Sequence, residues 1–236
     1  MKPYYLIGAA SGVLGALLLI VGTAMHPVPA NLQDSAEAFA SYATISRLAW
    51  VTSHLLQLAG IAGMVVAMVL LARAMAGDNH SILWARLTAV FGAAAIAATA
   101  TLQAVDGAAL KVMVDLWASS SDADRSALFA AAQAVRQVEI GLDGVFSLTL
   151  AATAAAFGMV LIRGTAAARL LAVLAFVTAA AAAVSGVLFC LQGFSSAAMN
   201  AGTTSGGLGI VLTAVAGVWA MRRTAVRPRP QRRSTN

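Results

Sequence analysis

Two histidines and three carboxylates carry most of the chemistry open to this chain. His26 closes the first long apolar run, and His54 lies near the start of the second. Asp106 ends the third, while Glu139 and Asp143 open the fourth. Neutral imidazole together with carboxylate is a ligand set for zinc, iron or manganese, and three such ligands leave a position open for water or substrate. His26 and His54 with a carboxylate from Asp106, Glu139 or Asp143 would hold the metal, and His26, His54 and Asp106 are the expected ligands. Glu139 and Asp143 stand four residues apart, on one face of a helix. A carboxylate beside a metal can take a proton from an attacking water, so these two are the expected catalytic residues. The chain contains neither H-E-x-x-H nor paired C-x-x-C, so the ligand set rests on co-location alone.

Other templates fit less well. His26 and His54 could bind a haem b between them as axial ligands, yet both stand near the ends of their apolar runs, whereas a haem prefers an apolar slot. Ser185-Gly186 lies deep in the fifth run without a histidine at that depth, and a serine lacking a base is inert. Cys190, the single cysteine, is a soft ligand by chemistry and a packing residue by habit. His80, beside Asp78 and Asn79, reads as a solvated turn residue.

The elements that must position these groups are membrane helices. Of 236 residues, 60% are hydrophobic and 10% charged, with a mean hydropathy of +0.84. A soluble domain is about 45–50% apolar and about 25% charged, and one of this length could not hide the excess. Six runs near 4–25, 50–72, 83–105, 140–162, 167–191 and 203–221 are each long enough, or almost so, to cross a bilayer. The expected fold is all-α: a polytopic six-helix transmembrane bundle over residues 1–221, with a helical hairpin at 106–139 projecting on the outer face. Counting about 20 residues per crossing from each inner boundary brings His26, His54, Asp106, Glu139 and Asp143 to one level. Gln57, Gln103, Gln192 and Asn200 join that shelf. No charged residue or histidine lies deeper, which argues against a pump or ion-coupled carrier.

Charge sets the expected direction. Lys2, Arg73, Arg86, Arg163, Arg169 and the six arginines after residue 221 place eleven of fifteen bases on one side, with only Asp78 among nine acids. Both termini are then cytoplasmic and the membrane is a bacterial-type inner membrane. Residues 222–236 form the expected disordered basic tail, held at an anionic leaflet. Without interleaved aromatics it offers nucleic acid no platform, so no nucleic-acid partner is expected. The first apolar run is about 20 residues, longer than a signal-peptide core of about 7–15, and reads as an uncleaved span.

Two further local signals bear on assembly. Gly8-x-x-x-Gly12, Ser11-x-x-x-Gly15 and Gly202-x-x-x-Gly206 predict close helix contacts. In the hairpin, Lys111 and Asp115 pair at i,i+4, Ser121 and Asp124 read as a capping pair, and the turn falls near Ser120. Trp50 reads as an interfacial aromatic, as do Tyr4, Tyr5, Trp84 and Trp219 at the other side.

Function then divides three ways. A metal-dependent enzyme or sensor would take a lipid-like or amphiphilic ligand at headgroup level. A non-catalytic accessory subunit would bind a membrane or periplasmic partner through 106–139, using Leu110, Val112, Met113, Val114, Leu116 and Trp117. A haem-b-binding protein is the third. The lipid bilayer is a partner in every case.

Overall fold

The structure, a computed structural model, describes residues 2–29 and 31–225. Eight α-helices follow one another with no strand among the described residues: α1 (Lys2–Met25), α2 (Ser35–Ala43), α3 (Arg47–Met75), α4 (Asn79–Ala104), α5 (Lys111–Ala118), α6 (Asp122–Leu161), α7 (Ala166–Gln192) and α8 (Ser196–Ala225). A π-helical stretch, Val105–Leu110, joins α4 to α5. Six helical stretches are long and apolar enough to cross a membrane, and the chain is an all-α polytopic bundle. The last helix reaches Ala225, beyond the expected end of the sixth span, and the rest of the expected tail, 226–236, lies outside the described residues.

The six long helices close into a ring, α1–α3–α4–α6–α7–α8 and back to α1, with α3 also touching α6 and α8. Consecutive long helices run in opposite directions. The start of α1 therefore meets the end of α3, where the Tyr5 hydroxyl donates to the Ala74 carbonyl at 3.4 Å. Arg223 donates to the Thr165 hydroxyl at 3.1 Å at the same end, here called the arginine end. His26, His54 and Asp106 lie at the opposite, histidine end.

Glycines set the tightest contact. A Cβ on Gly15 would stand 2.7 Å from the Gly60 carbonyl oxygen, and one on Gly22 would stand 2.8 Å from that of Ser53. Only hydrogen fits there, so α1 and α3 approach backbone to backbone. The expected glycine pair on α8 behaves differently: Gly202 rests on Phe189, but Gly206 faces open space.

Beyond the bundle core, a second apolar cluster fills the histidine end. Phe39 and Tyr42 of α2 pack with Trp50, Leu110, Val114, Trp117 and Ala132. The Asp34 carboxylate caps α2 by accepting from Ala36 and Glu37 N–H groups at 2.9 and 3.2 Å. The expected hairpin is present, as α5 and the first half of α6, but α2 lies against it. Leu110, Val114 and Trp117 are buried, which removes them from any exposed contact surface; Leu116 stays exposed. Lys111 is also buried, donating to Asp115 at 2.5 Å and to the Tyr42 carbonyl at 3.0 Å. At the turn, the Ser121 hydroxyl donates to the Asp124 carboxylate at 3.1 Å and makes no bond to a backbone N–H, so the expected capping pair bonds side chain to side chain.

Candidate metal centre

His54 is the anchor. It lies one helical turn after Trp50 on α3 and is 1% exposed. Its Nδ1 stands 2.7 Å from the Trp50 carbonyl oxygen. A carbonyl only accepts, so this bond places a proton on Nδ1 and turns Nε2 outward. The Ser53 hydroxyl donates to the same carbonyl at 2.7 Å. Nε2 then faces Asp106 Oδ2 at 2.8 Å. Two lone-pair-bearing atoms at that distance repel unless a proton or a metal cation lies between them. A backbone carbonyl that orients an imidazole from behind is the usual support of a metal-ligating histidine.

Asp106 reaches this position through the π-helical stretch. One extra residue in the turn frees backbone groups from the regular ladder, and the Trp50 indole donates to the Asp106 carbonyl at 3.0 Å. Gly107 completes the fit, because a Cβ there would lie 2.8 Å from His54 Cβ. Trp50 is thus no interfacial aromatic. It is fully buried, and its ring contacts Tyr42, His26 and His54 at centroid distances of 4.7, 5.1 and 4.9 Å.

His26 follows the last residue of α1, where Pro27 and Pro29 end the helix. The close α1–α3 contact carries its ring to 4.9 Å from that of His54, centroid to centroid. Its Nε2 lies 3.9 Å from Asp106 Oδ2. Burial holds the His26 imidazole below its ordinary value, with Asp106 opposing the shift, so it is neutral at pH 7. The ligand atoms of His26, His54 and Asp106 all lie within 4.8 Å of one another. Two ~2.1 Å bonds at a tetrahedral angle would put ligand atoms about 3.4 Å apart. The three residues therefore fit a small divalent ion with modest side-chain rotation. A haem does not fit between the histidines, because rings in edge contact leave no gap for a porphyrin plane.

A cavity of about 230 Å³ opens beside the triad, lined by His26 and Asp106 and, from α6, by Glu139 and Asp143. The sequence expectation of one shared level is met for all five groups, with His54 set behind the wall. Gln57 also lines the cavity. Gln103 keeps a buried Oε1 without a hydrogen bond, while Gln192 and Asn200 are exposed and stand apart. Glu139 is 6% exposed and its Oε2 has no hydrogen-bond partner. Asp143 is partly buried and makes neither hydrogen bond nor ion pair among the described residues.

Sequence reasoning missed three residues here. Tyr42 lines the cavity, and burial raises its phenol, which stays neutral. Trp50 clamps the π-helical stretch as described. Arg136, 2% exposed, donates to the Leu32 carbonyl at 2.6 Å and lies over the rings of Phe39, Tyr42 and Phe194 at 5.6, 6.0 and 5.1 Å. An arginine three residues before Glu139, on the face of α6 that also carries Asp143, was the available signal.

No protein-family model, curated protein or solved structure matches this chain. What the fold and geometry define is a six-span membrane protein with a partly buried His/His/Asp cluster at one end of the bundle.

Proposed function

We propose that this protein is a metal-dependent membrane enzyme acting on an amphiphilic, lipid-like substrate. His26, His54 and Asp106 hold a divalent zinc, iron or manganese ion. The observation that carries the reading is His54: its Nδ1 is committed to the Trp50 carbonyl and its Nε2 points at a carboxylate oxygen 2.8 Å away.

The ion would polarise a substrate carbonyl or phosphoryl oxygen. Glu139 and Asp143, on the far wall of the cavity, supply the base that takes a proton from the attacking water, and hydrolysis of an ester or amide is the reaction class this combination supports. Tyr42, neutral and lining the same cavity, can donate a hydrogen bond. The cavity is smaller than the roughly 300–1,000 Å³ of sites that enclose a whole small molecule. It takes one end of a ligand, and an apolar rim of Val28, Leu32, Phe194 and Met199 receives the start of a chain. The residues named here would face the outer leaflet if the termini are cytoplasmic.

Elemental analysis of protein purified without chelators, and again after reloading and desalting, tests the reading. One equivalent of metal in the wild type, lost in His26→Ala, supports it. Metal-free protein that cannot be reloaded would remove it and favour the accessory-subunit role.

A further inference from the structure

The cavity holds one more carboxylate than proton transfer requires. Glu139 and Asp143 share a face of α6 and both line it. The Glu139 residue is 6% exposed with an unpartnered Oε2, and Asp143 bonds to nothing among the described residues. The nearest fixed cation does not reach them. Arg136 is committed to the Leu32 carbonyl and to three aromatic faces, and it makes no ion pair within 4.0 Å among the described residues. Of the two acids, Asp143 is the farther along the helix from Arg136, seven residues against three. Tyr42, Phe189 and Phe194 line the same cavity. Carboxylates and aromatic rings lining one cavity, with apolar side chains beside them, make a receptor for an organic ammonium group.

We infer that the ligand carries a protonated amine on an apolar chain, received by Asp143 and Glu139 beside the ring of Phe189. This rests on the reading of the cavity as a ligand site, and it names the substrate class for that site. It does not require the metal. An ammonium gains from the two acids by charge and from the Phe189 ring by its electron-rich face. An alcohol of the same length gains neither, and a carboxylate is repelled. Glu139, closer to Arg136, remains the proton acceptor, while Asp143 holds the amine.

The test uses the full chain in detergent with chelator present, so that metal binding plays no part. Hexylamine, hexanol and hexanoate are titrated at pH 8 by calorimetry, each against a protein-free detergent blank that removes partition into micelles. Hexylamine is charged there, as a lysine would be. The expected result is hexylamine binding at least tenfold tighter than hexanol, with hexanoate undetectable. Asp143→Asn should lower hexylamine affinity about tenfold, or by about 1.4 kcal/mol, and leave hexanol unchanged. Equal binding of amine and alcohol by the wild type overturns the inference, whatever the variant does. Unchanged amine affinity in well-folded Asp143→Asn also overturns it. A parallel metal titration separates a further case: two equivalents in the wild type, with one lost in Asp143→Asn, would show that the acids hold a second ion instead. Failure to load any metal would sink the enzyme reading and leave the amine result standing.

Discussion

At the scale of single residues, the centre depends on which atoms are already committed before a metal arrives. His54 spends Nδ1 on the Trp50 carbonyl, and Trp50 spends its indole N–H on the Asp106 carbonyl. Both ligands are therefore oriented by the same residue, Trp50. Trp50→Phe keeps the ring and removes the donor, so it should loosen Asp106 without emptying the core. The expected loss is roughly 10- to 100-fold in metal affinity, read by competition against a chromophoric chelator, with helicity by circular dichroism unchanged. Since His54 is fully buried, alanine there would also open a hole, and His54→Gln is the cleaner removal of the imidazole. Acid should displace the metal as well. His26 titrates below its ordinary 6.5 because burial disfavours the imidazolium. Proton competition at His26 therefore sets in below pH 6.5, and occupancy measured from pH 8 to 5 should hold at the neutral end and fall at the acid end. Occupancy that is flat to pH 5 would speak against histidine ligation.

At the scale of elements, the site exists because three helices approach more closely than side chains normally allow. Gly22 lets the end of α1 settle on Ser53 and Gln57, and Gly107 lets the π-helical stretch settle on His54. Overfilling either contact should push a ligand away. Gly107→Ala and Gly22→Ala should each cost about 1–3 kcal/mol, as overpacked cores do, and each should weaken metal binding. Gly141→Ala is the control on α6, since nothing lies within 4 Å of its would-be Cβ. There alanine should be neutral or slightly stabilising, because it gains helix propensity without a clash. Thermal melts of the three variants, followed by metal loading, check the set. Similar melting temperatures for all three would deny that these glycines hold the helices together. The continuous helix α6 connects the two halves of the site: 40 residues at 1.5 Å each span about 60 Å, twice a hydrocarbon core. It therefore carries Glu139 and Asp143 in the bundle and the hairpin arm beyond it as one rigid piece.

At the scale of the whole molecule, the question is which way the histidine end points. Eleven of fifteen basic residues belong to the arginine end by sequence; Arg73 and Arg223 are placed there by the helices that carry them, and Arg163 by the turn after α6. The bias predicts that this end is cytoplasmic and that the cavity opens to the outer side. Cysteines introduced at Gly77, which faces open space, and at Ser120 in the hairpin turn would report it on a Cys190→Ala background. Membrane-impermeant reagent should label position 120 and spare position 77 in intact cells. The reverse pattern would invert the topology and move the proposed substrate to the inner leaflet.

Much of this arrangement is legible before folding. Apolar run length dictates the spans, because a helix needs about 20 residues to cross hydrocarbon. Counting from the arginine boundaries dictates depth, because rise per residue is constant along a helix. That is why His26, His54, Asp106, Glu139 and Asp143 could be set at one level from letters alone. Depth is one coordinate, however, and a site needs three. Which helices neighbour one another, and how each is rotated, follow from packing between residues far apart in the chain. So the ring order, the burial of Trp50, and the covering of Leu110, Val114 and Trp117 by α2 were decided by the tertiary structure. The π-helical stretch belongs there too, since Val105–Leu110 carries no local signal for it, and it is held by contacts from α3. Arg136 is the sharpest case. Its charge reads as solvent-facing in a sequence, and only the meeting of Leu32, Phe39, Tyr42 and Phe194 around it makes burial possible. Local periodicity sets what each helix is and how deep its residues lie, but long-range contacts alone turn those residues toward one another.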